Sequence, residues 1–338
     1  MGFSSQSGQV GFKTQATPGT FDPDFATEAR FMKLRSGSLG PNRDLLVTDP
    51  EIGGGRDTTD AYLGAASWGG DYEFYVRLEA IGTLLQGVLG TAVVSTVDMP
   101  VAGANTHTFG FSDSATLPFL SVEEKIGSGL ESYHYTDGVV NTFHLESDAN
   151  GFFMGTAGLI AKLQTAGITP TDASTLWDNT PLIVGTNILI TYNGVTLPAK
   201  SFSLDINNNF EDDDFRLGSF FLGDLTAKQR EVNGSFAIRP ADSNLWRQAV
   251  YGVNSLTGVG GLTTKQQLVI TAQTYENVTG TTKGKLTITI PKVVLEPYAL
   301  EPSGDDVIEN DISWRAVRPD PGTGIGSVAI VNGAVAVA

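Results

Sequence analysis

The sequence predicts a mainly β protein built from two tandem antiparallel β-sandwich or barrel domains, each with one short helix. Runs in which apolar and polar residues alternate, such as Tyr72–Val76 and Leu268–Ala272, have the period of two that is typical of half-buried strands. Turn residues are abundant, with 40 Gly and 15 Pro among 338 residues, and this excludes a mainly helical bundle. A set of short motifs also occurs twice, which indicates two copies of one domain.

The repeated motifs have the same order in both halves of the chain. They are Ser38-Leu39, Gly70 and Gly90 in the first half, and Ser203-Leu204, Gly234 and Gly252 in the second. The second set follows the first by 165, 164 and 162 residues. A spacing this constant is not expected of unrelated segments, so we predict a duplicated domain.

Each half is expected to contain strands, one helix and then more strands. Alternation predicts strands at Phe31–Leu34, Tyr72–Val76, Leu117–Glu124, Thr142–Glu146, Phe153–Ala161, Leu182–Thr191, Gln267–Thr274, Leu286–Ile290 and Ile308–Val317. The dipeptides Asp137-Gly138 and Lys283-Gly284 predict tight hairpin turns. Helical spacing predicts one helix over Leu78–Leu89, ending at Gly90, and another over Leu245–Val250, between an Asp242 N-cap and Gly252.

These elements divide the chain into five predicted parts. They are an N-terminal arm at 1–24, a first domain at 25–163, a connector at 164–190, a second domain at 191–318 and a C-terminal tail at 319–338. The two terminal arms are rich in Gly, Ser and Pro and too short to build a core. We therefore expect them to fray or to become ordered on a neighbouring molecule.

Composition excludes several classes of function. The chain has no Cys, so it has no disulfide, no thiolate metal site and no Cys nucleophile. It has 21 basic and 37 acidic residues, a net charge of −16, which argues against a tight nucleic-acid clamp. Neither a signal peptide nor an apolar stretch of about 20 residues is present, so we expect a soluble protein without a membrane partner.

Catalytic motifs are incomplete wherever they begin. Ser36–Gly40 lacks the spacing of a nucleophile elbow, and Gly280–Lys285 is one residue short of a phosphate loop, so a hairpin turn is expected there. If Asp137-Gly138 is a two-residue turn, His134 and His144 lie on opposite faces of the hairpin and cannot share a metal. These histidines and His107 are best interpreted as polar cross-strand residues. We predict no enzymatic activity and no cofactor.

One acidic segment partly follows a calcium-binding loop. Glu146–Gly151 places carboxylates and an amide at alternate positions before a glycine. Ala157 stands where the bidentate Glu is needed, however, and no helices are expected on either side. An acidic turn is therefore the preferred interpretation, and no metal is predicted.

Acidic residues also cluster in the long loop of each half. The candidates are Asp44, Asp49, Glu51 and Asp57 in the first half, and Asn207, Asn208, Glu211, Asp212, Asp213 and Asp214 in the second. Adjacent carboxylates repel one another and resist burial. Each loop is thus expected to be either a solvated tip or a surface that meets basic residues of a neighbouring subunit.

In the order of these motifs the chain resembles the tail tube (major tail) proteins of long, flexible-tailed bacteriophages. Each half has a strand with Ser-Leu, a long polar loop, a strand with Gly-Asp-Tyr-Glu-Phe or Gly-Ser-Phe-Ala-Ile, and a helix closed by Gly90 or Gly252. The turn Pro302–Asp306 before Ile312–Ala316 also resembles the family's closing strands. The similarity covers most of Phe31 to Val317.

The resemblance implies a structural subunit of the virion tail. Tube domains of this kind join their inner sheets into a barrel and stack as rings, forming a conduit for the genome. Such rings usually hold six domains, so a duplicated chain implies a trimer with pseudo-sixfold symmetry, although a homohexamer stays open. The partners are then other copies and other tail proteins, assembled in the host cytoplasm. The candidate acidic residues would lie between subunits or face the lumen, where DNA passes without specific binding.

Two alternatives use other features of the sequence. A virion β-sandwich that decorates the particle or binds a host glycan or receptor could use Trp68, Trp177 and Trp246 as a sugar platform. A glycosidase would need a pair of carboxylates in a cleft, and the sequence offers no such pair.

Overall fold

A computed structural model describes residues 4–90, 93–252, 261, 263–300, 308–320 and 324–334. The strands are β1 (Gln9–Thr14), β2 (Arg30–Met32), β3 (Leu34–Gly37), β4 (Gly40–Val47), β5 (Ala61–Tyr75), β6 (Val94–Thr96), β7 (Asn105–Gly110), β8 (Leu120–Ile126), β9 (Glu131–Asp148), β10 (Met154–Ala166), β11 (Ile188–Tyr192), β12 (Val195–Leu197), β13 (Ala199–Asn207), β14 (Glu231–Ile238), β15 (Gln266–Thr279), β16 (Thr282–Leu295), β17 (Asn310–Ala316) and β18 (Ser327–Asn332). The helices are α1 (Phe25–Glu28), α2 (Ile81–Leu89) and α3 (Asn244–Tyr251). The prediction of a mainly β chain is confirmed.

The two halves pair their strands in the same way. In the first half, β1 pairs with β2 and β8, β8 with β9, β9 with β10, β10 with β5, and β5 with β3. In the second half, β11 pairs with β12 and β15, β15 with β16, β16 with β17, β17 with β14, and β14 with β13. All these pairings are antiparallel, and their shared order is consistent with a duplicated domain.

Two glycines are held in matching environments. A Cβ placed on Gly70 would lie 2.1 Å from the carbonyl oxygen of Ser38, and one placed on Gly234 would lie 2.1 Å from the carbonyl oxygen of Ser203. No side chain fits at that distance, so the close backbone approach requires glycine in both places. These are the residues that the sequence repeat aligns.

The helices begin and end close to their predicted positions. α2 ends at Gly90 with φ +86°, and α3 ends at Gly252 with φ +75°, the left-handed conformation that favours glycine. Ser243 occupies the N-cap position of α3, while the Asp242 carboxylate accepts the N–H of Asn244 at 2.9 Å. The short helix α1 was not predicted, because four residues are too few to establish a helical period.

A continuous eight-stranded sheet runs through both halves. Its order is β3, β5, β10, β9, β13, β14, β17, β16. The two halves meet where β9 pairs with β13, from Thr142↔Asn207 to Asp148↔Ser201. Every second residue of these strands enters one large core, including Phe74, Leu145 and Trp314. Each half therefore contributes four neighbouring strands to a shared sheet.

The termini are more ordered than expected. β1 is buried between β2 and β8, and Lys13 in it forms an ion pair with Asp22 at 2.5 Å. β18 lies between β16 and β7, so it links the second half to the first. The expectation that the arms fray or order only on a neighbour is wrong for these two strands. Their partners are distant in sequence, and local composition does not reveal them.

The connector packs on the first half. Ala173, Leu176 and Trp177 join Phe25 and Phe31 in a small second core. The predicted connector strand begins late, since Gly185–Asn187 is a 3₁₀ turn and the strand starts at Ile188.

The expected hairpin turn at Asp137-Gly138 is wrong. The dipeptide lies inside β9, a strand of 18 residues, and the chain turns earlier, between Ile126 and Glu131. Asp137 has a positive φ of 57°, as a tight turn requires, but it forms a bulge opposite β8. The Gln15 side chain donates to the Asp137 carboxylate at 2.6 Å and accepts the Asp137 N–H at 3.0 Å. A distant side chain thus stabilises the bulge within the strand.

Two other predicted turns fall differently. The second hairpin turns between Thr279 and Thr282, just before the predicted Lys283-Gly284. This confirms a hairpin turn in the segment Gly280–Lys285. The turn predicted at Pro302–Asp306 lies outside the described residues.

Candidate functional site: the open sheet face and the long loops

The eight-stranded sheet has one face that is not covered by the core. We call this the open face and define it by the rows that cross Thr142–Asp148 of β9. In these rows, Phe143 and Leu145 point into the core, whereas His144 and Glu146 lie on the other side. The same alternation continues across the paired strands, so the open face consists of polar residues from both halves.

Carboxylates dominate the open face. Those in the described rows are Asp71, Glu73, Glu146, Asp148, Asp205, Glu231, Glu296 and Asp311. The guanidinium groups are those of Arg35, which lies 5.4 Å from the Tyr75 ring centre, and Arg315, which approaches Glu296 at 3.7 Å. Eight carboxylates against two guanidinium groups give this surface a negative field, which repels phosphate groups.

An ion pair crosses the boundary between the halves on this face. His144 Nδ1 on β9 lies 2.6 Å from the Asp205 carboxylate on β13, and His144 Nε2 lies 3.4 Å from Glu146. The hydrogen bond to Asp205 raises the pKa of His144 above its ordinary value, against the opposing effect of partial burial. Protonation of His144 therefore strengthens the contact between β9 and β13.

Two long loops leave the same end of the sheet. One is the hairpin of β4 and β5, and the other is the segment 208–230 between β13 and β14. They touch where the Ala66 N–H donates to the Phe220 carbonyl at 2.8 Å. The segment 208–230 also packs Phe210 and Leu222 on the first half, in a cluster with Leu117 and Val139.

Both loops expose apolar side chains that sequence reasoning missed. These are Leu45, Leu46, Val47, Ile52, Tyr62 and Leu63 on the hairpin, and Phe215, Leu217, Phe220 and Phe221 on the other loop. On the hairpin, Leu45 is paired with Leu63 and Leu46 with Tyr62. A concentrated apolar surface of this kind marks an interaction site. The apolar run Leu45-Leu46-Val47 could have indicated this surface from the sequence. The loop was instead interpreted from its neighbouring carboxylates, as an acidic loop.

The predicted acidic candidates of the first half lie on or beside the hairpin. Asp44 is on β4 at a break in its register with β5. Asp49, Glu51 and Asp57 are exposed around the tip. The structure therefore places these four residues on the same loop. They do not join the carboxylates of the open face.

The candidates of the second half separate into three environments. Asn207 belongs to the open face, where it pairs with Thr142 and Glu231. Asn208 is 1% exposed and donates to the carbonyls of Val88 at 3.1 Å and Val140 at 3.0 Å. Its amide is used inside the fold, so we leave Asn208 out of the contact surfaces.

The acidic run that follows is partly neutralised within the loop. Asp214 binds Arg216 at 2.6 Å, and this contact lowers the pKa of Asp214. Glu211 lies 3.6 Å from Lys228. Asp212 and Asp213 are exposed to solvent, and they are the members of this run that remain suited to contact a neighbour.

Comparison with known families decides between the interpretations. A family model described as phage tail tube protein matches residues 5–316, nearly the whole chain. The chain belongs to the phage tail tube protein family. It is therefore a structural subunit of a phage tail tube and a component of the virion tail. The search of curated proteins finds no match for this tail tube protein.

The histidines of this tail tube protein are held as structural residues. His107 is fully buried and contacts Ser95 at 2.7 Å and Asn332 at 3.1 Å. His134 stacks on Phe21 and bonds Glu123 at 3.1 Å. Although burial raises the pKa of Glu123, its bonds to His134 and Thr171 lower it below the ordinary value.

The other chemical candidates have no assembled site among the described residues. Glu146–Gly151 is the end of β9 and a turn, and no group of three or more His, Asp or Glu in the described part of the chain is placed to hold a metal. His134 and His144 lie ten residues apart on one strand, about 33 Å, so they cannot share a metal, although for a different reason than predicted.

The tryptophans do not form a sugar platform in this tail tube protein. Trp68 is 9% exposed and belongs to the main core. Trp177 packs edge-on against Phe31, and Trp246 donates its indole N–H to the Tyr298 carbonyl at 3.0 Å. In the described ranges, no helix has the length and apolar character needed to cross a bilayer.

Proposed function

We propose that this tail tube protein assembles into stacked rings around a bore through which phage DNA is ejected. The observation that carries the proposal is the eight-stranded sheet with four strands from each half. It has a free edge at either end because, among the described strands, β3 pairs only with β5 and none pairs with the outer side of residues 296–300 after β16. Edge strands pair readily with another chain. Repeated pairing of these edges around an axis closes the sheets into a barrel, which removes every free edge.

The number of strands favours three copies in a ring. Three copies supply 3 × 8 = 24 strands, with six four-strand units arranged in pseudo-sixfold symmetry. At about 4.8 Å between strands, the barrel is about 115 Å around and about 37 Å across, and strand tilt widens it further. A homohexamer is the alternative, and it would need twice as many strands.

The open face lines the bore in this proposal. Its net negative charge repels the phosphates of DNA, whereas a basic wall would release counterions and hold the duplex. Glu146, Glu231 and Asp311 are exposed there. DNA then slides through without specific binding, and the subunit has no enzymatic task.

The long loops bridge each ring to the next. Their exposed apolar residues, such as Leu45, Leu63 and Phe220, are buried when rings stack, which supplies the main stabilisation. The carboxylates Asp44, Asp49, Glu51 and Asp57, with Asp212 and Asp213, surround this contact and meet basic residues of the next ring, whereas Glu211 and Asp214 stay paired within their own loop. The predicted domains at 25–163 and 191–318, joined by 164–190, are the repeating units of the wall.

Assembly takes place in the host cytoplasm together with other tail proteins. A chain without Cys suits that reducing compartment.

Electron microscopy of the purified protein tests the proposal. Hollow tubes or rings are expected as the protein is concentrated. Discrete monomers that bind a glycan array would contradict it and would favour the decoration or receptor-binding alternative.

A further inference from the structure

We propose that neighbouring copies in a ring are joined by pairing residues 38–42 of one copy, at the junction of β3 and β4, with residues 296–300 of the next copy, which directly follow β16. The inference rests on the proposed ring assembly. To that assembly it adds the two segments that pair between neighbouring copies, their register and their relative direction. We call this pairing the joint between copies. The partner is a second copy of this chain, and the template for the joint lies within the chain itself.

The template is the internal joint between the halves. There β13 of the second half pairs with β9 of the first through a continuous antiparallel register, from Thr142↔Asn207 to Asp148↔Ser201. The pairing is extended at both ends, where Ala149 N–H donates to the Lys200 carbonyl at 2.7 Å and Asn208 N–H donates to Asn141 at 2.9 Å. Two four-strand units thus already have a defined way of joining.

The edge strand of the first half corresponds to β13. Gly70 approaches the Ser38 carbonyl as Gly234 approaches the Ser203 carbonyl, so Ser38 and Ser203 occupy equivalent positions. Ser203 lies in the middle of the internal joint, paired with Glu146. Ser38 is exposed, and the strands on either side of it, β3 and β4, pair only with β5 among the described strands. The first half therefore presents a β13-like edge without a partner strand.

The other side of the joint is located by the same correspondence. Gly70 pairs with Leu159, and Gly234 pairs with Trp314. On the next strand, Leu159 pairs with Val140 and Trp314 with Leu295.

A bulge at Asn141 of β9 separates the pair Leu159↔Val140 from the next pair, Gly158↔Thr142. At the equivalent place in the second half, Glu296 N–H donates to the Ser313 carbonyl at 2.9 Å. Thr142 therefore corresponds to Glu296. Four residues further on, Glu146 corresponds to Leu300.

The segment Glu296–Leu300 is held in place for pairing. Trp246 donates its indole N–H to the Tyr298 carbonyl at 3.0 Å, and the Asn310 side chain donates to the Ala299 carbonyl at 3.1 Å. No strand of the described chain pairs with it on its outer side.

The internal joint and the proposed joint between copies differ at one pair of residues, so a substitution there can affect one joint without the other. The internal joint has the His144–Asp205 ion pair at 2.6 Å. By the correspondence above, Tyr298 and Gly40 take those places between copies. A change at His144 should therefore affect the contact within a chain and leave the contact between copies unaltered.

Engineered disulfides test the joint directly, because the chain contains no cysteine of its own. The variant S38C/L300C places one cysteine on each side of the proposed joint, and E146C/S203C places the equivalent pair across the internal joint. After mild oxidation of assembled tubes, S38C/L300C should give covalent trimers on a non-reducing gel. E146C/S203C should close within the chain and stay monomeric, and single variants should not cross-link.

A register control uses S36C/L300C, in which one cysteine is moved by two residues. Its Cα separation then exceeds the roughly 7 Å limit for a disulfide, so S38C/L300C should give at least about tenfold more covalent trimer. Tubes that form normally while S38C/L300C stays monomeric, or while S36C/L300C cross-links equally well, would overturn this joint and leave the proposed function intact. Absence of rings and tubes from the wild-type protein would overturn the proposed function and the joint with it.

Discussion

Gly70 and Gly234 show how a single residue fixes the geometry of each half. Each lies against a carbonyl oxygen at a distance that excludes any Cβ. Gly69 is a neighbour on the same strand, but the nearest atom to a Cβ there is the Leu159 carbonyl oxygen at 3.6 Å. On this strand, the close approach therefore requires glycine at position 70 but not at position 69.

Replacing these glycines should destabilise the free subunit. G70A and G234A are each expected to lower the free energy of unfolding by about 2 kcal/mol or more, because the obstructing atom is backbone. G69A, the matched control, should lower it by less than about 1 kcal/mol. Urea denaturation below the assembly concentration measures all three. Equal stability of G70A and G69A would contradict the close approach.

His144 gives the contact between the halves a pH dependence. Its pKa is raised in the folded protein, so protonation favours the folded state. The stabilising contribution is complete below the ordinary histidine pKa of about 6.5 and is lost as pH rises through the raised value.

The variant H144Q should reveal that contribution. Wild type is expected to exceed H144Q in stability by at most about 1 kcal/mol at pH 5.5, because the pair is partly exposed. The difference should shrink at pH 9. Thermal unfolding of both proteins at the two pH values measures it, and a difference that grows with pH would contradict the assignment.

Asn208 and Asp137 are two residues whose structural roles could not be predicted from the neighbouring sequence. Asn208 stands beside the acidic run and was grouped with it, yet its amide is buried and bonds two carbonyls of the first half. Asp137-Gly138 has the residues of a tight turn, but Gln15 supports it as a bulge. In both cases the deciding contact comes from a residue far away in the chain.

The elements that sequence predicted well are those defined by local pattern. The ends of α2 and α3 follow from Gly90 and Gly252, and the central strands follow from alternation. The order in which the strands pair does not follow from local pattern. The segments that contain β1 and β18 were expected to be arms because they are rich in Gly, Ser and Pro. In the structure they pair with β8 and β16, which are distant in the sequence.

The hairpin of β4 and β5 is the element on which ring stacking depends. Leu45 is 61% exposed and Leu63 55% exposed, and they are paired across the hairpin. The double variant L45S/L63S should change the free energy of unfolding by less than about 0.5 kcal/mol, because neither side chain is buried in the subunit. Tubes should become shorter, and single rings should accumulate in electron micrographs.

A matched control for the hairpin is V195S. Val195 is 64% exposed on β12, outside both long loops. Its replacement should leave tube length unchanged. Wild-type tube length in L45S/L63S would contradict a stacking role for the hairpin.

At the scale of the whole molecule, the charge of the open face determines whether an assembled tube binds DNA or lets it pass. The triple variant E146K/E231K/D311K should make assembled tubes retain duplex DNA at low salt, with binding that falls steeply as salt is raised. The neutral variant E146Q/E231Q/D311N should not retain DNA, since it removes repulsion without adding cations. Cosedimentation of DNA with tubes measures both, and well-formed lysine-variant tubes that retain no DNA would show that this face lies outside the bore.

The central claim is that two similar four-strand units of one chain form a shared wall around a bore. A reconstruction of the assembled tube, viewed along its axis at a resolution that separates strands, tests this most directly. We predict three chains and 24 inner strands in each ring, with the open face toward the axis. Six chains in a ring, or a wall formed by a different sheet of the molecule, would contradict the claim.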